Sequence, residues 1–137
     1  MSLIVLKFGG TSVGNCEKII KVARLIKNHY DQKNKVIVVS SAMAGVTDEL
    51  IKKSKKISNK FEKSEYDVLV SAGEQIACSL LAGSLIKLGL KSRSWLSWQL
   101  PILTDSKHAS SRIKKINTKE VLSFINKFIA ITLTFWK

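Results

Sequence analysis

The sequence predicts an α/β protein with a mostly parallel, open sheet and helices on both faces. Short apolar runs alternate with stretches of helical periodicity. One of those runs, Val36-Ile37-Val38-Val39, is continuously apolar, as in a strand buried on both faces. Two of the runs lead straight into loops of small and hydroxyl residues that open a helix, the usual place for a ligand crevice in such a sheet.

Each element follows from local pattern. Leu3 to Phe8 is an apolar strand, and Gly9-Gly10-Thr11-Ser12 comes directly after it. A helix is expected from about Asn15 to Tyr30, with Ile19, Val22, Ala23, Ile26 and Tyr30 at helical spacing. After Val36–Val39 a second helix is expected near Thr47, capped by Thr47 or Asp48. Lys52 to Lys63 reads as a solvated helix face and loop. Val68 to Leu88 reads as a long buried helix, with small residues at Ala72, Gly73, Ala77, Ala82 and Gly83. Ser92 to Ser97 is expected to be a strand, and Leu100 to Leu103 extended, because Pro101 excludes a helix interior. Arg112 to Ile116 is expected as a strand, Thr118 to Asn126 as a short helix, and Phe128 to Phe135 as a final strand.

Composition narrows the class. A hydrophobic content of 45% is too high for a disordered chain and suits a globular one with a core. No uninterrupted apolar run approaches the roughly 18 residues that span a bilayer. The N-terminus reads as a strand rather than a secretory signal. Cys16 and Cys78 each fall in a helical pattern and are expected to be reduced core thiols, which suits a cytoplasmic location. The net charge of +13 comes almost wholly from lysines spread along the chain, with only Arg24, Arg93 and Arg112 beside them. Recognition of phosphate and bases by bidentate contacts favours arginine, so the charge points away from nucleic acid and towards small anionic ligands.

The most informative segment is Lys7-Phe8-Gly9-Gly10-Thr11-Ser12. A strand ending in two glycines at a helix entrance lets backbone N–H groups approach an anion, aided by about half a positive charge at the helix N-terminus. Thr11 and Ser12 add hydroxyl donors and Lys7 a full charge, suited to phosphates and to charge moving in phosphoryl transfer. The lysine precedes the glycines, so this is no Walker A loop. The second segment, Ser40-Ser41-Ala42-Met43-Ala44-Gly45-Val46-Thr47-Asp48, also leaves a buried strand for a helix. Alone it would serve an ordinary turn; beside the first it faces the same crevice.

Four motifs in order then point to one family. Lys7-Phe8-Gly9-Gly10-Thr11-Ser12-Val13-Gly14 resembles the opening signature of aspartate kinases, in the amino-acid kinase family. Ser40-Ser41-Ala42-Met43 with Val46-Thr47-Asp48-Glu49-Leu50 resembles their second loop. Ser71-Ala72-Gly73-Glu74 is similar to their Ala-Gly-Glu helix motif, and Thr104-Asp105, His108 and Arg112-Ile113 to the pattern that follows it. N-acetylglutamate, uridylate and glutamate 5-kinases share the lysine and Gly-Gly element, but are not expected to carry the Val-Thr-Asp-Glu-Leu and Ala-Gly-Glu segments in this form.

The resemblance implies a carbamate kinase-like fold. It also implies transfer of the γ-phosphoryl group of ATP, with Mg²⁺, to the β-carboxylate of L-aspartate, towards lysine, diaminopimelate, threonine and methionine. It implies catalysis by Lys7, which contacts the transferred phosphate, and a phosphate and nucleotide pocket of Lys7, Gly9, Gly10, Thr11 and Ser12. Ser41 and Thr47 would bind the substrate, and Glu74 its α-amino group. No residue is expected to ligate a metal directly. His108 can in principle act as an acid or base, but an ionised carboxylate nucleophile needs none, so His108 reads as structural. Arg112 is expected to anchor the loop to a carboxylate such as Asp105, and His29 to be a favourable cation at a helix C-terminus or a plain surface residue.

By the same resemblance, residues 1–131 correspond to the N-terminal part of the kinase domain. The family's later Gly-Arg-Gly-Gly-Ser-Asp segment, its remaining nucleotide contacts and its regulatory ACT domains have no counterpart here. Residues 132–137 are expected to be a divergent tail, possibly out of frame, leaving the final strand without cover for its edge. Expected partners are aspartate and ATP, with no nucleic acid and no membrane, and a homo-oligomer in the full-length family. The alternative is a truncated, catalytically inactive remnant of that enzyme.

Overall fold

The structure, a computed structural model, describes residues 2–99, 102–116, 119, 122–123 and 130–133. The elements in order are β1 (Leu3–Phe8), α1 (Cys16–Asp31), β2 (Lys35–Ser40), α2 (Val46–Ile57), α3 (Lys63–Lys87), β3 (Ser92–Trp95), β4 (Ile102–Thr104), β5 (Ile113–Ile116) and β6 (Ala130–Leu133), with a short 3₁₀ turn at Ser97–Gln99. Strands β1, β2, β6 and β3 form a parallel sheet in that spatial order, and β4 and β5 a separate antiparallel pair.

Local chemistry accounts for the boundaries. Asn15 caps α1: its Oδ1 accepts from the Lys18 N–H at 2.9 Å, satisfying an amide that the first turn leaves open. At the other end His29 lies in the last turn, where a cation is favoured, as expected. Gly45, at φ +83°, enters α2 in the left-handed conformation that a side chain would resist. The cap expected at Thr47 or Asp48 is therefore corrected. Thr47 is the second helical residue, and Asp48 lies with Glu49 in the first turn, where carboxylates favour the helix electrostatically.

The core lies between the sheet and two helices. Along β1 and β2 the inward residues Leu6, Phe8, Val36 and Val38 meet Ile19, Val22, Ala23 and Ile26 of α1 and Leu81 and Leu85 of α3. Both helices thus cover one face. The stretch between β5 and β6, expected to be a helix over Thr118 to Asn126, lies largely outside the described residues, as do Leu100 and Pro101. α3 is, by length and composition alone, able to cross a membrane. Here Val70, Gly73, Ala77, Cys78, Leu81, Ala82 and Leu85 are buried against the rest of the protein, as in a core helix. It starts five residues earlier than the periodicity suggests, and it is not buried all round: Val68, Ile76, Leu80 and Ile86 are exposed.

Two further expectations are corrected. The final strand is not an uncovered edge, since Ala130–Leu133 pairs with β2 on one side and β3 on the other. The cysteines are not both core thiols: Cys78 is buried, but Cys16 opens α1 on the surface. The sheet order explains the first correction, because a strand late in sequence is inserted between two earlier ones.

Adjacent leucines on α3 test this packing. Leu81 is fully buried and Leu80 is 41% exposed. Leu81→Ala is expected to lower unfolding free energy by about 2–5 kcal/mol and Leu80→Ala by under about 1 kcal/mol, measured by urea denaturation.

Candidate active site

Three loops and helices meet at the C-terminal ends of β1 and β2. The Ser41 N–H donates to the Phe8 carbonyl at 3.1 Å and the Ala44 N–H to the Gly10 carbonyl at 3.1 Å, so the two glycine-containing loops are tied backbone to backbone. The approach is close enough to demand glycine. A Cβ on Gly10 would lie 2.8 Å from the Ala42 carbonyl oxygen, inside van der Waals contact. Gly9 differs: nothing lies within 4 Å of the position its Cβ would take, so its backbone is open to an approaching group.

The remaining first-loop residues stand around that opening. Lys7 is exposed at the end of β1, paired in register with Val39, and Thr11 and Ser12 are exposed in the turn that follows. The Ser12 N–H donates to the Gly9 carbonyl at 2.9 Å, closing the turn. Lys18, which sequence reading did not single out, reaches back from α1 to the Thr11 carbonyl at 3.0 Å. Its spacing, three residues after the helix cap, was the available signal.

α3 closes the other side. A Cβ on Gly73 would lie 3.0 Å from the Ala42 Cβ and 3.3 Å from Val46 Cγ1, so the small residue lets α3 sit directly on the second loop and the first turn of α2. Glu74, next in sequence, is buried at 7% exposure, and its Oε2 has no hydrogen-bond partner among the described residues. Burial pushes its carboxyl pKa up; N–H groups of its own residue and of Ala42 partly oppose that shift. The structure therefore packs Gly10 and Gly73 against Ala42, with Ser41 and Glu74 next to them in sequence and Thr47 one residue beyond Val46, which meets Gly73. Lys7, Thr11 and Ser12 remain on the exposed rim.

A buried carboxylate oxygen without a donor costs roughly 1–3 kcal/mol or more, which an arriving ammonium group would offset. An open glycine backbone, two hydroxyls and a lysine suit phosphate oxygens. Among the described residues no group of three or more His, Cys, Asp or Glu could hold a metal ion.

The downstream motif is built into a clamp on α3. Asp67 accepts from the Ala109 N–H at 3.0 and 3.2 Å and lies 3.0 Å from His108 Nδ1. Asp105 accepts from the Lys107 and Arg112 N–H groups at 3.2 Å each. His108, expected to be structural, meets Asp67 of α3 through Nδ1. The anchor expected from Arg112 is made by its backbone N–H to Asp105. Asp67 had no signal in sequence beyond being a carboxylate on an apolar helix.

The sequence profile described as the amino acid kinase family matches residues 2–135. The chain belongs to the amino acid kinase family. It is 47% identical over 121 residues to an aspartokinase of Rickettsia felis, covering 86% of this chain and 30% of that protein. Against the aspartokinase of Geobacillus stearothermophilus it is 46% identical over 121 residues, covering 88% of this chain and again 30% of the relative. The crystal structure of aspartate kinase from Synechocystis superposes with a TM-score of 0.80 at 32% identity, over 96% of this chain and 21% of that one. Carbamate kinase from Giardia lamblia, bound to AMP-PNP, shares the fold at a TM-score of 0.69 and 12% identity, over 96% of this chain and 55% of that one. The chain thus spans about a third or less of the aspartokinases it resembles.

The raised Glu74 pKa has a definite consequence for stability. An acid whose folded pKa exceeds its unfolded value binds more protons when folded, so its contribution is fully present below the unfolded pKa of an ordinary glutamate and is lost as pH rises through the folded pKa. Glu74→Gln is expected to remove that loss and to be more stable than the wild type at pH 7, read from thermal melts across pH 4–8.

Proposed function

We propose that this chain is the N-terminal part of an aspartate kinase and carries the half-site at which L-aspartate meets the γ-phosphate of ATP. The observation that carries the reading is Glu74, a buried carboxylate beside the second loop whose Oε2 has no donor among the described residues. Such a group suits the α-ammonium of an amino acid. Support also comes from the aspartokinases of similar sequence, and from E. coli aspartokinase III, crystallised with aspartate and ADP, whose fold is similar at 18% identity.

In this reading Glu74 orients the amino acid, Ser41 and Thr47 donate to it, and its β-carboxylate attacks the γ-phosphorus, giving 4-phospho-aspartate and ADP. The nucleophile is already ionised at neutral pH, so the chain's task is positioning and charge stabilisation. Lys7, with the Gly9–Ser12 turn, holds phosphate oxygens and stabilises the negative charge as it moves. Mg²⁺ would arrive on the nucleotide's phosphates, in keeping with its usual preference for phosphate, water and few protein ligands. The product would lead towards lysine, diaminopimelate, threonine and methionine in the cytoplasm, with a homo-oligomeric full-length enzyme.

A second reading is that the chain binds the amino acid at this half-site without turning it over; it spans 30% of the length of the Rickettsia felis aspartokinase. Titration with L-aspartate and with succinate, which lacks the ammonium group, tests the half-site in either case. Aspartate is expected to bind more tightly than succinate by about tenfold or more, and Glu74→Gln to abolish the difference. Equal affinity for the two ligands in the wild-type chain would sink the proposal. A coupled assay of aspartyl phosphate separates the two readings: turnover lost in Lys7→Ala supports an active kinase, and no turnover supports binding without catalysis.

A further inference from the structure

Lys18 stands where a helix does not favour a cation. Asn15 caps α1, so Cys16, Glu17 and Lys18 are its first three helical residues. The unbonded N–H groups of that first turn leave it partly positive, and the third position is where a capping box places a glutamate or glutamine. A lysine there adds its charge to the positive end of the helix. Its backbone N–H is held by Asn15 Oδ1 at 2.9 Å. Its side chain does not extend away from the helix entrance: Nζ turns back over it and donates to the Thr11 carbonyl at 3.0 Å.

That ammonium has no carboxylate to balance it. Lys27 pairs with Asp31 and Lys53 with Glu49, each at 2.9 Å, whereas among the described residues no carboxylate forms an ion pair with Lys18. Of its three N–H donors the Thr11 carbonyl takes one. Thr11 belongs to the turn that the Ser12 N–H closes on the Gly9 carbonyl, beside the open backbone of Gly9. Positive charge therefore reaches this turn from Lys7 at the end of β1, from the amides that open α1, and from Lys18. Like charges so gathered repel one another, and an arriving polyanion would relieve the repulsion. We propose that Lys18 is a second phosphate-binding lysine of the Gly9–Ser12 turn, whose remaining donors take an oxygen of a polyphosphate chain such as that of a nucleoside triphosphate. This rests on the phosphate pocket proposed above and adds to it a residue from α1.

Tripolyphosphate titrated into the full chain by calorimetry at low salt tests this, with three variants beside the wild type. Lys18→Gln keeps an N–H donor for the Thr11 carbonyl but loses the charge, and Lys18→Arg keeps the charge. Lys56→Gln removes an exposed lysine from the last turn of α2. Lys18→Gln is expected to weaken binding by about tenfold or more, and Lys18→Arg and Lys56→Gln by under about threefold each. Without ligand, the Lys18→Gln chain is expected to melt no lower than the wild type, because a glutamine at the third helical position can bond the Asn15 N–H. A lysine that serves only the fold predicts a lower melting temperature with unchanged affinity, and that result overturns the inference. In the wild-type chain, the side-chain NMR signals of Lys18 are expected to shift when tripolyphosphate is added, and those of Lys56 to stay in place.

Equal affinity in the wild type and Lys18→Gln also overturns it, as does an equal loss in Lys56→Gln, which would mark a response to net charge alone. Lys18 signals that do not move overturn it without recourse to any variant. A wild-type chain that does not bind tripolyphosphate overturns it together with the phosphate pocket. Binding that Lys7→Ala weakens and Lys18→Gln does not overturns the inference and leaves the pocket standing. Binding that needs Lys18, in a chain that does not tell aspartate from succinate, leaves the inference standing and counts against the aspartate kinase reading.

Discussion

Ala42 is where the molecule is held together at its working end. Its carbonyl oxygen occupies the space beside Gly10, its Cβ lies against Gly73, and its N–H bonds the Glu74 carboxylate. At 4% exposure it is enclosed by two segments far from it in sequence, the first loop and α3. Any bulk added at Gly10 or Gly73 would separate the first loop or α3 from the second loop. The glycines are thus required by close approach, and the small side chain at position 42 by having neighbours on every side.

α3 passes that constraint on to the rest of the fold. Near its N-terminus Asp67 holds the loop between β4 and β5 through the Ala109 N–H, and Ala109 adopts φ +61°, costly for a residue with a Cβ. Mid-helix, Gly73 and Glu74 define the back of the candidate site. Further along, Leu81 and Leu85 anchor the helix in the core with α1 and β2. A rigid 25-residue helix therefore fixes the downstream loop, the buried carboxylate and the hydrophobic core relative to one another.

Stability is spent at one place in this arrangement. Glu74 is the buried carboxylate among the described residues that has an oxygen without a partner, and it stands on the helix whose other buried residues are nearly all apolar. A purely structural helix would carry an apolar residue there, since an unpaired buried charge has no compensation from packing. Strain of this kind is expected where a ligand completes the hydrogen bonding.

Local sequence determined much of what is seen. The strand–loop–helix units at Leu3–Asp31 and Lys35–Ile57 follow from apolar runs, helical periodicity and paired small residues, because these depend on neighbours a few positions away. The glycines, hydroxyls, Lys7 and Glu74 were recognisable for the same reason, as chemical types within short motifs. Tertiary structure alone decided the rest. It placed the final strand between β2 and β3, left β1 at the edge, chose Leu81 over Leu80 for the core, and made Ala42 and Asp67 the residues that join separate segments. None of these is a property of a residue's own type or spacing; each depends on which distant segment arrives beside it, and that is settled only when the sheet is assembled and α3 is packed across it.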